Sequence, residues 1–340
     1  MQISDFRSDT VTKPTREMLA AMASADVGDD VLGDDPTVKK VEELAAGIFG
    51  KEAAMFVPSG SMGNQCSIAA QTRPGDEIII EANSHIFLYE GGALARIPLV
   101  QPRTLISKNG ALDPAEVEAA IRPDDVHDPR TTMIAVEQTH LMSGGRVVPI
   151  HNFKQLRAIA DRYHLKIHCD GARIFNASVA SGVPVAEFAK YCDSLTFCLS
   201  KGLSCPVGSI VAGSKSFMSE AHRVRKWMGG GMRQLGYLAA CGIVALETMV
   251  ERLAEDHANA RKLAEMICTI PKIKINPADV ETNIIFIKTE CDRAKAIETA
   301  LHAEGVWCFA LGPSLLRLVT HRHIGAREIE HAARALGKVI

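Results

Sequence analysis

The stretch "SLTFCLSKGLSCPVGSIVAG" carries a lysine, Lys201, at the end of an apolar run and directly before Gly202. Lysine side chains ordinarily stay in water, so one at the mouth of a buried strand asks for a chemical use. A second charged group has a similar setting. Asp170 closes "LKIHCD" and precedes Gly171, 31 residues before Lys201. In an open parallel sheet, ligands bind beyond the carboxyl ends of the strands. The spacing fits one strand–helix–strand step, which lets both side chains face one pocket. A desolvated lysine amine can form a Schiff base with an aldehyde, and a buried carboxylate can keep a pyridinium nitrogen protonated. Together these are the two protein anchors that pyridoxal 5'-phosphate needs to act as an electron sink.

A phosphate site is then expected, and "FVPSGSMGNQCSIAAQT" offers one. An apolar strand runs into Ser59, Gly60 and Ser61, and a helix begins there. The amides and dipole of a helix N-terminus bind anions. Gly60 allows close backbone approach, and the Ser61 hydroxyl can donate. The stretch "EANSHIFLYE" follows another strand and places His85 near its carboxyl end. An imidazole there can stack on a pyridine ring and move protons at neutral pH. Taken singly, each feature has a plainer meaning: a surface lysine, an Asp-Gly turn, a serine N-cap, a structural histidine. Their conjunction, in the order phosphate loop, stacking histidine, aspartate, lysine, carries the reading.

The elements that must position these groups alternate. Short β-like runs ("AAMFV", "EIII", "TMIAVEQ", "LKIHCD", "SLTFCLS", "GSIVAG") are separated by amphipathic segments. This pattern predicts an α/β fold with a mostly parallel sheet covered by helices. Helices are expected near residues 15–24 and 37–49. The acidic loop "DVGDDVLGDDP" between them reads as surface, interface or active-site rim. A large domain over 1–250, with its N-terminal helical segment, precedes a small C-terminal α/β domain over 251–340. One long helix, "QLGYLAACGIVALETMVERLAEDHANARKLAEMI", is expected to link the lobes.

Composition bounds the function. The 340 residues are 47% hydrophobic, ample for a sizeable core, and the net charge is −2. That balance suggests neither nucleic acid nor an anionic membrane as partner. No apolar stretch reaches membrane-span length, and "MQISDFRSDTVTKPT" lacks a signal core, so a cytoplasmic protein is expected. The nine cysteines include no C-x-x-C pair and read as reduced, with Cys169, Cys198 and Cys268 buried in apolar runs. No metal site is expected. The chain has no strand–G-x-G-x-x-G–helix, which sets aside a nucleotide-dependent dehydrogenase.

From "FRSDTVTKPT" to "LRLVTH" the sequence resembles the L-threonine aldolases of the low-specificity and L-allo-threonine type, pyridoxal-phosphate enzymes of the aspartate-aminotransferase-like fold (fold type I). The stretches that carry the likeness are "VPSGSMGNQ", "DGARIFNA", "CLSKGLSCPVGS" and "GGGMRQ". The resemblance implies that Lys201 is the Schiff-base lysine, Asp170 the partner of the pyridine nitrogen and His85 the stacking histidine. It makes Gly60, Ser61 and Met62, next to Ser59, the phosphate loop. Arg173 matches an arginine lying against cofactor and substrate. Ser8 and Arg317 match groups that bind the amino-acid carboxylate, for which an arginine fork is well shaped. His127 matches a second histidine near the substrate hydroxyl, and His85 and His127 both stand as candidate bases. Arg233, with Lys226 ranked beside it, resembles residues that reach a neighbouring subunit's cofactor phosphate.

The reaction so implied is retro-aldol cleavage of L-threonine, L-allo-threonine and other β-hydroxy-α-amino acids to glycine and an aldehyde. The alternative is another pyridoxal-phosphate reaction on the same fold: β-elimination, racemisation or transamination. The resemblance also implies a homotetramer, a dimer of dimers with shared sites. Departures from the family pattern bear on the substrate. Leu32 replaces an aromatic residue in "DDVLGDDP". Gln138 and Leu141, in "EQTHLMSGG", replace amides that could reach the substrate. These changes predict weaker activity on threonine or a preference for bulkier β-hydroxy amino acids.

Overall fold

The computed structural model describes residues 3–289 and 292–340. A seven-stranded sheet lies at its centre, in the order Ala53–Val57, Ser209–Gly213, Ser194–Cys198, Lys166–Asp170, Thr131–Glu137, Glu77–Glu81, Gln101–Leu105. Ser209–Gly213 runs antiparallel to both neighbours, and the remaining pairings are parallel. Strands covered on both faces read as unbroken apolar runs rather than alternating ones. Ser194–Cys198 and Ser209–Gly213 are indeed buried at every residue. Helices cover the sheet. Phe49 of helix Pro36–Phe49 stacks on Phe197 of the sheet with ring centroids 4.8 Å apart, and Phe175 meets both edge-on.

Local chemistry sets the helix ends. Asp35 caps helix Pro36–Phe49, its Oδ1 accepting from the amides of Thr37 and Val38, with Pro36 at the first turn and left-handed Gly50 (φ 61°) after the end. The acidic loop is therefore not all surface: Asp35 is 1% exposed, and its Oδ2 accepts from the Gly236 amide at 2.8 Å. A Cβ on Gly236 would lie 2.5 Å from Asp35 Oδ1, so only glycine fits there.

The expected long linking helix is two helices, Gly236–Thr248 and Leu253–Ile267. No glycine or proline marks the break, so the periodic pattern runs straight across it. The first of the two packs against helices Arg16–Ala23 and Pro36–Phe49. The second belongs to a separate core built on a four-stranded antiparallel sheet, Phe309–Ala310, Leu315–Val319, Ile284–Thr289, Ile273–Lys274. The N-terminus joins this second core. Ser4–Asp5 pairs in parallel with Val306–Trp307, and Phe6 is fully buried among the small-sheet residues. Residues 8–12 then cross to the large sheet, where Thr12 Oγ1 donates to the Lys201 carbonyl at 2.9 Å. Cys169 and Cys198 are buried, whereas Cys268, expected with them, is half-exposed after the Leu253–Ile267 helix. Cys291 lies outside the described residues.

Candidate active site

A cavity of about 280 Å³ opens between the carboxyl ends of the large-sheet strands and the small domain. Lys201, His85 and Arg173 line it from the large domain, Arg317 and Leu311 from the small one, and Ser8 and Thr10 from the crossing segment. Tyr89 and Leu141 complete an apolar side.

Lys201 stands three residues past strand Ser194–Cys198, in a turn closed by the amides of Leu199 and Ser200 on the Gly208 carbonyl. Asp170 ends the adjacent strand and is 2% exposed. Its Oδ1 accepts from the Ala172 amide, and its Oδ2 accepts from Asn64 Nδ2 at 2.9 Å. The amide of His85 donates to Glu137 Oε2 (2.7 Å), and its ring nitrogen Nδ1 lies 3.1 Å from Glu90 Oε1. Burial works against an imidazolium at His85, but the Glu90 hydrogen bond and the charge of Asp170 outweigh burial and the opposing charge of Lys201. The His85 pKa is raised.

Arg173 is buried and held side-on by Asp9, with Nε–Oδ2 2.8 Å and Nη2–Oδ1 2.7 Å. Asn283 of the small domain adds a bond to Asp9 Oδ2 at 3.2 Å. Burial pushes Asp9 toward its neutral form. The Arg173 charge and hydrogen bonds, with the nearby Lys201 charge, prevail and hold it well below the usual carboxylate range. Arg317 is placed differently. Its Nη2 donates to the Arg7 carbonyl (3.1 Å), and its guanidinium lies 5.5 Å from the Phe309 ring centroid. Its buried Nε has no hydrogen-bond partner, and no carboxylate pairs with it among the described residues. Burial, then the Arg173 charge, lower its pKa. An arginine so placed presents an unfilled demand for an anion.

The loop before helix Gly60–Ala69 has the features of an anion cradle. Ser59 caps the helix, its Oγ accepting from the Met62 amide at 3.2 Å, and this leaves the Gly60 and Ser61 amides at the helix start. A Cβ on Gly60 would lie 2.8 Å from Cys198 Sγ. The buried Ser209 hydroxyl, near Gly60, has no partner. Together with the Lys201 amine, the Asp170 carboxylate and the His85 ring, these groups fit a phosphorylated pyridine aldehyde.

The remaining expected residues lie elsewhere in this chain. The His127 side chain is 89% exposed on a loop and bonds Asp125 at 2.7 Å. Arg233 is exposed and pairs with Asp29 at 2.8 Å. Lys226 lines a separate apolar groove with Val31, Leu32 and Trp227, and Leu32 is 71% exposed there. Gln138 does not reach the cavity. Its side chain makes a closed pair of bonds with the Val148 backbone, both at 2.9 Å. Sequence reading missed Asp9, Asn64, Glu90, Tyr89 and Leu311. Asp9 and Glu90 stand beside motif residues ("RSDT", "HIFLYE") and were open to notice. Leu311 carried no signal.

An α/β sheet of this topology, with a lysine and an aspartate closing neighbouring strands under a small C-terminal domain, defines the fold type I pyridoxal-phosphate enzymes. The fold is shared with a Leishmania major threonine aldolase (TM-score 0.84, 18% identity, 98% of each chain) and a Sphingomonas wittichii serine palmitoyltransferase (TM-score 0.77, 16% identity, 100% of this chain and 86% of that one). A family model described as Beta-eliminating lyase matches residues 5–290. The chain is 44% identical to the probable low-specificity L-threonine aldolase 2 of Arabidopsis thaliana, over 98% of this chain and 96% of that one. It is 41% identical to the low specificity L-threonine aldolase of Escherichia coli K12, over 97% of both. The chain belongs to the β-eliminating lyase family and, within it, to the low-specificity L-threonine aldolases.

Proposed function

We propose that this chain is a pyridoxal-phosphate-dependent carbon–carbon lyase that cleaves L-threonine or L-allo-threonine, and other β-hydroxy-α-amino acids, to glycine and an aldehyde. One observation carries the reading: a lysine at a strand end and an arginine without an anionic partner line the same small cavity. When bound, the cofactor supplies an electron sink for the pair released from the Cα–Cβ bond. Ser59, Gly60, Ser61 and Met62 would hold its phosphate, Asp170 and His85 its ring, and Lys201 its aldehyde carbon. Arg317 and Ser8 bind the substrate carboxylate, and Arg173, steadied by Asp9, flanks it. Fixing the carboxylate of a small amino acid limits the orientations its Cα–Cβ bond can take in the cavity. His85 lines the cavity and is the nearer candidate to take the β-hydroxyl proton.

The apolar side formed by Tyr89, Leu141 and Leu311 favours a bulkier aldehyde portion. We therefore expect kcat/KM for L-phenylserine to exceed that for L-threonine, and a threonine preference would contradict this. The same reading makes the protein cytoplasmic, with its small domain over 251–340, and a homotetramer with shared sites. The surface positions of His127, Arg233 and Lys226 suit service to a neighbouring chain. Incubating the loaded enzyme with L-threonine and L-allo-threonine tests the proposal. Acetaldehyde and glycine in equal amounts support it, while ammonia with a keto acid would indicate elimination, and a keto acid without ammonia would indicate transamination.

A further inference from the structure

Behind the cavity lies a buried polar chain that the substrate-binding groups do not use. Asn64, 1% exposed on helix Gly60–Ala69, directs one amide nitrogen at two carboxylates. Its Nδ2 is 2.9 Å from Asp170 Oδ2 and 2.9 Å from Glu90 Oε1. Its Oδ1 lies 3.1 Å from His168 Nε2. Burial drives the His168 pKa down to about 4, so this ring is neutral. Neutral His168 donates from Nε2 to Asn64, and its Nδ1 lies 2.9 Å from the Ser194 hydroxyl. Glu90 Oε2 accepts from Gln65 Nε2 at 2.6 Å. The reverse placement of the Asn64 amide would set its oxygen against two carboxylates, so the proton directions are fixed.

We infer that Glu90 is a positioning residue for His85, and that Asn64 ties Glu90 and Asp170 into one rigid unit, which leaves His85 Nε2 as the nitrogen that exchanges protons in the cavity. An ionised carboxylate only accepts, so His85 Nδ1 donates to Glu90 Oε1 at 3.1 Å in both protonation states of the ring. Nε2, which has no partner among the described residues, is left to gain or lose the proton. Ligand atoms of His85, Glu90 and Asp170 lie within 4.8 Å of one another, a grouping that could suggest a cation. The Asn64 NH2 group, within hydrogen-bond distance of both carboxylates, already fills that demand. The unit also joins three cofactor-facing elements: the phosphate-loop helix through Asn64, the strand end through Asp170 and the stacking ring through Glu90.

The inference rests on the functional reading above, and its test separates the two. The groups that face His85 are Glu90, Asp170, Lys201, Glu137 through the backbone amide, and the Tyr89 ring 5.8 Å away. In Glu90→Gln, shape is kept and charge is lost, so the titration midpoint of His85 falls by roughly one pH unit. The limb of the kcat/KM profile set by that ring moves the same way, to lower pH. Exchange of the imidazole C2 hydrogen with deuterium, read peptide by peptide by mass spectrometry, gives the His85 midpoint in the full chain, with and without pyridoxal phosphate. Glu90→Asp, which keeps the charge, recovers part of the shift. In the wild-type chain alone, His85 must titrate above its own value in the urea-unfolded chain. A His85 midpoint unmoved in Glu90→Gln overturns the inference. Should that variant fail to fold, a wild-type His85 midpoint at or below the unfolded value overturns it. A chain that binds no pyridoxal phosphate refutes the functional reading instead, and the His85 midpoint still decides the role of Glu90.

Discussion

Arg317 holds a guanidinium in a lined cavity with its Nε unpartnered, next to an arginine already satisfied by Asp9. Charge-assisted hydrogen bonds contribute about 1.5–3 kcal/mol. Arg317→Ala should therefore raise KM for the amino acid by roughly 10- to 100-fold, with a smaller change in kcat, measured by steady-state kinetics of the loaded enzyme. An unchanged KM would remove Arg317 from the carboxylate site. Lys201 and Asp170 were legible because each closes an apolar run beside a glycine. The pairings of Asp9 and Asn64 were not, even though Asp9 stands in a motif, because their partners lie far along the chain: Asp9 meets Arg173 across 164 positions, and Asn64 meets Asp170 across 106. Gln138, placed near the substrate by its motif, turns inward to the Val148 backbone.

Helix Pro36–Phe49 carries Glu42, whose Oε1 accepts from the Phe56 amide at 2.8 Å, just before the phosphate loop. Burial pushes the Glu42 pKa up to about 7, against the opposing effects of that hydrogen bond and the Arg225 charge. The folded chain thus holds this proton more tightly than the unfolded chain, whose carboxyl has the ordinary value of 4.5. Stability from this group is present at low pH and is lost as pH rises from about 4.5 through about 7. Glu42→Gln removes the dependence. Thermal melts at about pH 5 and about pH 8 should show the variant gaining on wild type at the higher pH. An equal difference at both would show that Glu42 titrates normally. Strands were readable at this scale, since apolar runs carry their own signal. The break after Thr248 was not, because packing against two different cores ends the helix there without a glycine or proline.

The N-terminal segment links the two cores of the molecule. Phe6 sits in the small-sheet core, and Asp9 binds Arg173 of the large domain and Asn283 of the small one. Removing one partner of a buried ion pair leaves an uncompensated charge, at a cost of about 3–5 kcal/mol. Asp9→Ala should therefore lower the free energy of unfolding by that amount in urea titrations, and Asp9→Asn by less. A loss under about 1 kcal/mol would mean that Arg173 finds another partner. The alternation of strand and helix made six of the seven large-sheet strands readable from sequence, and the edge strand Gln101–Leu105, which has no buried residue, carried no apolar run to mark it. The return of the first residues to the small sheet was not readable, because a two-residue parallel pairing has no pattern of its own. Among the described residues, no helix is long and apolar enough to cross a membrane.

The most direct test of the account combines a spectrum with a product assay. The purified chain, loaded with pyridoxal phosphate, should show the visible absorption band of a lysine-bound cofactor and release acetaldehyde from L-threonine or L-allo-threonine. Lys201→Ala should lose both. A wild-type chain that shows no such band after loading, or that keeps the band and cleaves no β-hydroxy amino acid, would contradict the central claim.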